Sequence, residues 1–518
     1  MSFAQEVFKS PQQFRNLLLK ENLIQGKKSD YTGKTFICVS LTRFCPVGCK
    51  FCFFKSGPMF KQPTKADILT TEGMDKFIQF SNSINLGYLL VSGGGEPMME
   101  KNSILRIIEE IESERIVLVT SAFWAKNKEN AKRYLDAICK QLSKRKKSTS
   151  LTIRVSIDEG HQETLTLDPI IHLIDLFYND YRHIEGLDLQ IHSLNDDPII
   201  SVLIENLSQS YKITRHLVSN KRISDGIHAL KIVPKQEIIS VNDYEIKVGY
   251  AKIFYSNLRV NLHEDISKNI AVYQKDLYES EDGNSSIVTN TDGKTGLDFW
   301  INYNGNVTTW GNQYLDNLFN LYTDSADSII EGSLSDPAAL AFIEKGTDYR
   351  DAIVSEVNQI AVKRSKAVNI RDYSGALMFD EERTRLYFTI RALQDYLKEG
   401  RISLDTVPLS IKKILEISKN DLLNAYKDAY NIVDQVIHKG FQKDLVLDIL
   451  EWIKLGHYDV SHKDFLRLIA FYNQHTHEEK INENDPLPHN HKMQIVRMTE
   501  YLTHIKPGIL NINIEHAA

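Results

Sequence analysis

Three of the five cysteines in this chain fall within eight residues, in the run Cys45-Pro46-Val47-Gly48-Cys49-Lys50-Phe51-Cys52. The spacing is C-x3-C-x2-C. Three thiolates on one tight loop suit three irons of a cubane iron–sulfur cluster, leaving the fourth iron open to a small molecule. The same residues also suit most of a structural zinc site completed from elsewhere, or three buried cysteines without metal. Gly48 gives the loop access to a positive φ. Phe51, just before the third cysteine, is placed to shield a cluster or pack on a ring. The remaining cysteines, Cys38 and Cys139, fall in a strand and a helix pattern and read as core residues.

A second group follows 40 residues on, as Ser92-Gly93-Gly94-Gly95-Glu96-Pro97. Three glycines at a strand end let the backbone approach a ligand without side-chain obstruction. Glu96 adds an acceptor for an ammonium group. Ser156 and Asp158 follow a later strand, where the residues by themselves read as an ordinary strand-to-helix turn. Arg154 and His161 lie nearby without a motif. His475, His477, His489 and His491 fall in a polar, proline-containing stretch that reads as a solvated loop rather than a second metal site. The basic run Lys144-Arg145-Lys146-Lys147 reads as a loop too.

These groups are punctuated by regular elements. Phe36–Leu41, Tyr88–Ser92, Ile116–Thr120, Leu151–Ile157 and Leu187–His192 are short apolar runs separated by helical patterns, the rhythm of right-handed βαβ units and a parallel sheet, which fits an open or partial barrel with a doubly wound sheet as the rival. The sixth strand falls within Lys231 to Val260, where several apolar runs compete. Residues 1–34 read as a helix and a polar turn. Asp282 to Gly296 is a polar loop and a boundary, and Phe299 to Trp310 reads as a hairpin turning at Asn304-Gly305. From Pro337 onward helical patterns dominate, clearest at 381–397, 421–438, 445–455, 465–472 and 492–504.

The 518 residues carry 62 Lys+Arg against 68 Asp+Glu, and 42% are hydrophobic, which excludes a disordered chain and gives no electrostatic case for nucleic acid. No run is long and apolar enough to span a membrane, and Met1 to Arg15 show no signal pattern, so a cytoplasmic location is the expectation.

The cysteine triplet after the first strand and the Gly-Gly-Glu-Pro run after the second, in that order, resemble the radical S-adenosylmethionine (radical SAM) superfamily. The resemblance covers about residues 35–260 and implies a partial (β/α)6 barrel there; with the patterns beyond it, the expected fold is α/β, the barrel followed by a small β-hairpin cap and a mainly α-helical C-terminal domain. It implies a [4Fe-4S] cluster on Cys45, Cys49 and Cys52. S-adenosyl-L-methionine would then meet Gly93, Gly94, Gly95 and Glu96 through its amino group, the backbone at Phe51 through adenine, and Ser156 and Asp158 through its carboxylate or ribose.

The hairpin, with Asp324 to Ile330, is similar to the SPASM extension of peptide-modifying members. That pattern continues into cysteines for auxiliary clusters, and this chain has none beyond Cys139. The expected organisation is a helical extension (1–34), the barrel (35–280), the SPASM-like hairpin without cluster ligands (281–336) and a helical domain (337–518). The implied function is abstraction of hydrogen from a bound peptide or protein, using a one-electron donor of flavodoxin or ferredoxin type. A small metabolite such as a sugar or amino-acid derivative is the alternative, and a non-catalytic iron–sulfur or zinc-binding interaction protein is the rival of another class.

Overall fold

The structure, a computed structural model, describes residues 2–49, 56–57, 63–145, 148–194, 198–218, 236–251, 294, 296–309, 319–359, 362, 378, 382–429, 446, 450, 462–475 and 480–482. Phe51 and Cys52 therefore lie outside the described residues, as do His477, His489, His491, Trp310 and the expected helix over 492–504. The expected loop over 282–296 and helix over 445–455 lie largely outside them. Within the described chain two compact units separate. One runs through residues 28–251 and 294–330; the other combines residues 2–27 with the described residues from 331 onward.

The chain opens with two helices, α1 (Phe3–Lys9) and α2 (Pro11–Lys20), whereas the pattern over residues 1–34 predicts one. Ser2 and Gln5 form a capping box that starts α1. Pro11 lacks an N–H and disfavours helical geometry at Ser10, so the helix restarts there. Both helices pack into the helical unit, where Phe8 meets the Tyr426 ring at 5.9 Å and Arg15 forms a buried 2.6 Å ion pair with Asp336. The rest of that unit includes helices Pro337–Val357, broken at Gly346 (φ 87°), Glu382–Lys398, Leu409–Leu415, Lys419–Ala429 and His462–His475.

The other unit is built on one sheet. Its first five strands are β1 (Thr35–Val39), β2 (Leu86–Val91), β3 (Arg115–Thr120), β4 (Ser150–Ser156) and β5 (Leu187–Leu194). They pair in parallel, each with the next. An antiparallel meander follows, β6 (Ile213–Val218), β7 (Gln236–Val241) and β8 (Tyr244–Ala251). β8 pairs in parallel with β5 and is the sixth barrel strand. Helices α3 (Thr71–Asn82), α4 (Lys101–Glu110), α5 (Lys128–Leu142), α6 (Glu159–Gln162), α7 (Asp168–Leu176) and α8 (Ile199–Leu207) supply the crossovers. This is the partial (β/α)6 barrel.

Strand residues alternate between two buried faces. Ile37, Leu89, Ile116 and Phe299 lie on the helix-covered side, where Phe299 meets Phe80 of α3 edge-on at 5.2 Å. Phe36, Cys38, Tyr88, Leu90, Val117, Val119 and Trp300 pack together on the inner side. The hairpin, β9 (Asp298–Ile301) and β10 (Asn306–Thr309), is continuous with the barrel sheet: β9 pairs in parallel with β1, and β11 (Phe319–Asn320) completes that edge. Gly305 (φ 82°) takes the left-handed position in the turn, as its place after Asn304 suggested.

Candidate active site

The cysteine loop leaves β1 and is held at both ends. Cys45 N–H donates to Gly57 O at 2.9 Å, and Arg43 N–H donates to Asp67 O while its guanidinium pairs with the buried Asp67 carboxylate at 2.6 Å. Gly48 has φ 63°, and nothing lies within 4 Å of where its β-carbon would be, so conformation rather than crowding calls for glycine here. Backbone N–H groups of Val47 and Gly48 donate to the Cys45 sulfur. Burial pushes the Cys45 thiol up to about 11 against those donors, with Glu96 and Cys49 adding to the rise. Cys45 and Cys49 are thus neighbours, and N–H donation to sulfur is one way a protein tunes a thiolate that ligates a metal cluster.

The glycine turn docks directly on this loop. Gly93 and Gly94 have φ 74° and 66°. Gly95 N–H donates to Thr42 O at 2.5 Å and Glu96 N–H to Phe44 O at 2.8 Å. A β-carbon on Gly94 would stand 2.5 Å from Thr42 O, and one on Gly95 would stand 1.9 Å from Phe44 O. The close approach these glycines permit is therefore first of all to the backbone ahead of Cys45. Ser56 Oγ also donates to Gly94 O.

Glu96 is buried, and its carboxylate is filled from within. Met98 N–H (3.1 Å) and Thr120 Oγ1–H (2.7 Å) donate to Oε1; Ser121 N–H (2.7 Å) and Oγ–H (2.6 Å) donate to Oε2. Thr120 is itself held by Trp124 Nε1–H at 3.1 Å. Thr120 and Ser121 close β3 on the same rim. Their signal was a Thr-Ser pair at a strand end, which means little until the strands are side by side.

Ser156 ends β4, half-buried, opposite His192 of β5. Asp158 caps α6: its Oδ1 accepts His161 N–H at 2.8 Å and its Oδ2 lies 2.6 Å from His161 Nδ1. The His161 ring is also hydrogen-bonded to the Cys49 side chain. Burial opposes its charged form, yet Asp158 and Cys49 together hold the imidazole up to about 10. Thr164 Oγ1–H donates to Val47 O at 3.0 Å, a second tie from this segment to the cysteine loop. The hairpin reaches the rim as well, with Tyr303 Cδ1 3.1 Å from the β-carbon position of Gly94. Cys38 lies in the inner core cluster, and Cys139 in α5.

The family model described as Radical SAM superfamily matches residues 39–164, a span that contains the cysteine loop, the glycine turn, Glu96, Thr120, Ser121, Ser156, Asp158 and His161. No curated protein matches the chain. Among the described residues, no helix is long and apolar enough to cross a membrane.

Proposed function

We propose, from the premise that this chain carries a radical SAM domain and is an enzyme of that superfamily, that Cys45, Cys49 and Cys52 hold one [4Fe-4S] cluster and that the barrel mouth binds S-adenosylmethionine and a substrate. The observation that carries the reading is the docking of the glycine turn on the cysteine loop through Gly95–Thr42 and Glu96–Phe44. It puts a thiol pair and a bare run of backbone at one place. The donor set fits a cluster: Cys45 and Cys49 act on each other, and Val47 and Gly48 point N–H groups at sulfur. When bound, cluster and S-adenosylmethionine together supply reductive cleavage to a 5′-deoxyadenosyl radical, which takes a hydrogen atom from the substrate.

The chain's own residues do the holding. Contact with the amino group falls to the backbone of Gly93, Gly94 and Gly95, because the four acceptor positions of the Glu96 carboxylate are already used. Glu96 clamps that turn to β3. Ser156 offers its hydroxyl to the carboxylate or ribose, while Asp158 is engaged with His161 and positions it. The adenine contact that the family resemblance gives to position 51 remains part of this reading.

The substrate is a peptide or protein in this reading. The support is the hairpin, which joins β1 and brings Tyr303 to Gly94. The electron comes from a flavodoxin- or ferredoxin-type donor. Anaerobic reconstitution with iron and sulfide counting, followed by dithionite and S-adenosylmethionine, tests the core of it. One cubane per chain and formation of 5′-deoxyadenosine are expected. A colourless protein that keeps zinc after iron is offered, or one that makes no 5′-deoxyadenosine, would refute it.

A further inference from the structure

The inner wall of the barrel has two halves of different chemistry. Across β9, β1, β2 and β3 it is aromatic and aliphatic, with Trp300, Phe36, Cys38, Tyr88, Leu90, Val117 and Val119. Across β4, β5 and β8 it is polar. Register places Arg154 beside Val119 on one side and Gln190 on the other, with Lys247 next to Gln190. These residues share one inward row. The next row toward the rim holds Ser156, His192 and Gly249.

Arg154 is half-buried, and among the described residues it has no hydrogen-bond or ion-pair partner; the same is true of the more exposed Lys247. A guanidinium withdrawn from water without a counter-charge is costly. The acids that face it are accounted for. Asp158 is bonded to His161. Asp188, one row deeper, accepts from Gln190 at 3.4 Å, and burial pushes its carboxyl up despite Lys247 and Arg115. Asp298 is on the opposite wall, beside Phe36. His192 is kept neutral, since burial and the Arg154 guanidinium push its imidazole down to about 3. It therefore offers a hydrogen bond without adding to the charge. Gly249 makes room for its ring: a β-carbon there would stand 3.0 Å from His192 Cδ2.

We propose that Arg154, flanked by Gln190, His192 and Lys247, is the subsite for an anionic group of the substrate, a carboxylate or a phosphate. This rests on the function proposed above and names the substrate's charge. The subsite lies about 7 Å down β4 from Ser156, and on the opposite side of the barrel from the β1–β2 loops that carry the cysteines and glycines. An anion held there directs the rest of the substrate toward the rim, where hydrogen abstraction takes place. A planar guanidinium suits either oxyanion through paired N–H donors.

The test uses the reconstituted full-length protein and titrates S-adenosylmethionine, inorganic phosphate and succinate separately by calorimetry, in wild type and in Arg154→Gln and Arg154→Lys. Phosphate or succinate is expected to bind wild type and to lose at least about tenfold in affinity in Arg154→Gln, with part of that regained in Arg154→Lys. Which anion binds distinguishes phosphate from carboxylate. S-adenosylmethionine affinity is expected to stay within about twofold. Loss of S-adenosylmethionine binding in Arg154→Gln would assign the residue to the cofactor and overturn the proposal. So would failure of both anions to bind wild type, or anion binding indifferent to the substitution. If Arg154→Gln does not fold by circular dichroism, Lys247→Gln takes its place, and unchanged anion affinity there overturns the proposal equally. Anion titration needs no cluster, so a wild type that makes no 5′-deoxyadenosine would count against the function while this result stayed readable.

Discussion

Gly95 is pressed against the carbonyl of Phe44, leaving only 1.9 Å for any β-carbon at that position. The neighbouring bonds, Gly95 N–H to Thr42 O and Glu96 N–H to Phe44 O, make this a backbone-to-backbone joint, with no flexible side chain to give way. Gly95→Ala must therefore part the glycine turn from the cysteine loop. Overpacking of this kind costs about 1–3 kcal/mol or more. The reconstituted variant is expected to hold well under half the wild-type iron. Gly57→Ala is the control, because its β-carbon would meet nothing within 4 Å. Full iron and unchanged melting in Gly95→Ala would show that the joint is not needed.

Glu96 gives a prediction that separates clamp from ligand contact. In Glu96→Gln the amide nitrogen would face donors where the carboxylate now accepts from Thr120 and Ser121. Leaving buried donors unmatched costs about 1–3 kcal/mol. A lower melting temperature is expected, together with a modest loss of S-adenosylmethionine affinity, and Ser121→Ala should reproduce part of both. A stable Glu96→Gln that loses S-adenosylmethionine binding outright would mean that the carboxylate itself holds the amino group.

Residue type and order carried much of this into the sequence. β1 to β5 are legible because strands buried on both faces write short apolar runs, and the cysteine and glycine groups follow their ends directly. β8 was harder for a physical reason: its helix-side residues Ile246, Val248 and Tyr250 are buried, while Glu245, Lys247 and Gly249 alternate with them, so no continuous run appears. β6 carries Arg215, His216 and an exposed Leu217 at the sheet edge, and it reads as polar chain. The partners of Glu96 were hidden because they join it across strands, from Thr120 and Ser121. Pro11 marked the break between α1 and α2, but the leucine stripe beyond it dominated the pattern.

His161 stands between Asp158 and the Cys49 side chain, so under the proposed function its removal should be felt at the proposed cluster rather than in the fold. Losing an outer partner of a metal ligand typically costs about 10–100-fold in metal affinity or activity. His161→Ala is expected to weaken iron retention against a chelator by about that factor and to move the cluster to a more negative reduction potential, since a donor to sulfur is gone. Asp158→Asn keeps the helix cap but removes the charge that orients the ring, and it should fall between wild type and His161→Ala. Wild-type potential and iron retention in both variants would leave His161 as a partner of the α6 cap alone, with no part in the site.

Asp298 sets a pH dependence separate from the proposed cluster. It lies on the inner face of β9 beside Phe36, and its Oδ1 has no hydrogen-bond partner among the described residues. Burial pushes its carboxyl from 3.8 up to about 7. Between those values the folded state keeps a proton that the unfolded chain has lost. Stability from this group is therefore fully present below about pH 4 and falls as pH rises to about 7, where the loss is complete. At about 1.4 kcal/mol per pH unit the loss is about 2–4 kcal/mol. Asp298→Asn has no charge to bury. Its stability relative to wild type, from urea melts followed by tryptophan fluorescence, is expected to rise by that amount between pH 4.5 and pH 8. A difference that does not change with pH would mean that Asp298 is ionised in the folded barrel at little cost, and that water or an inner-wall cation reaches it.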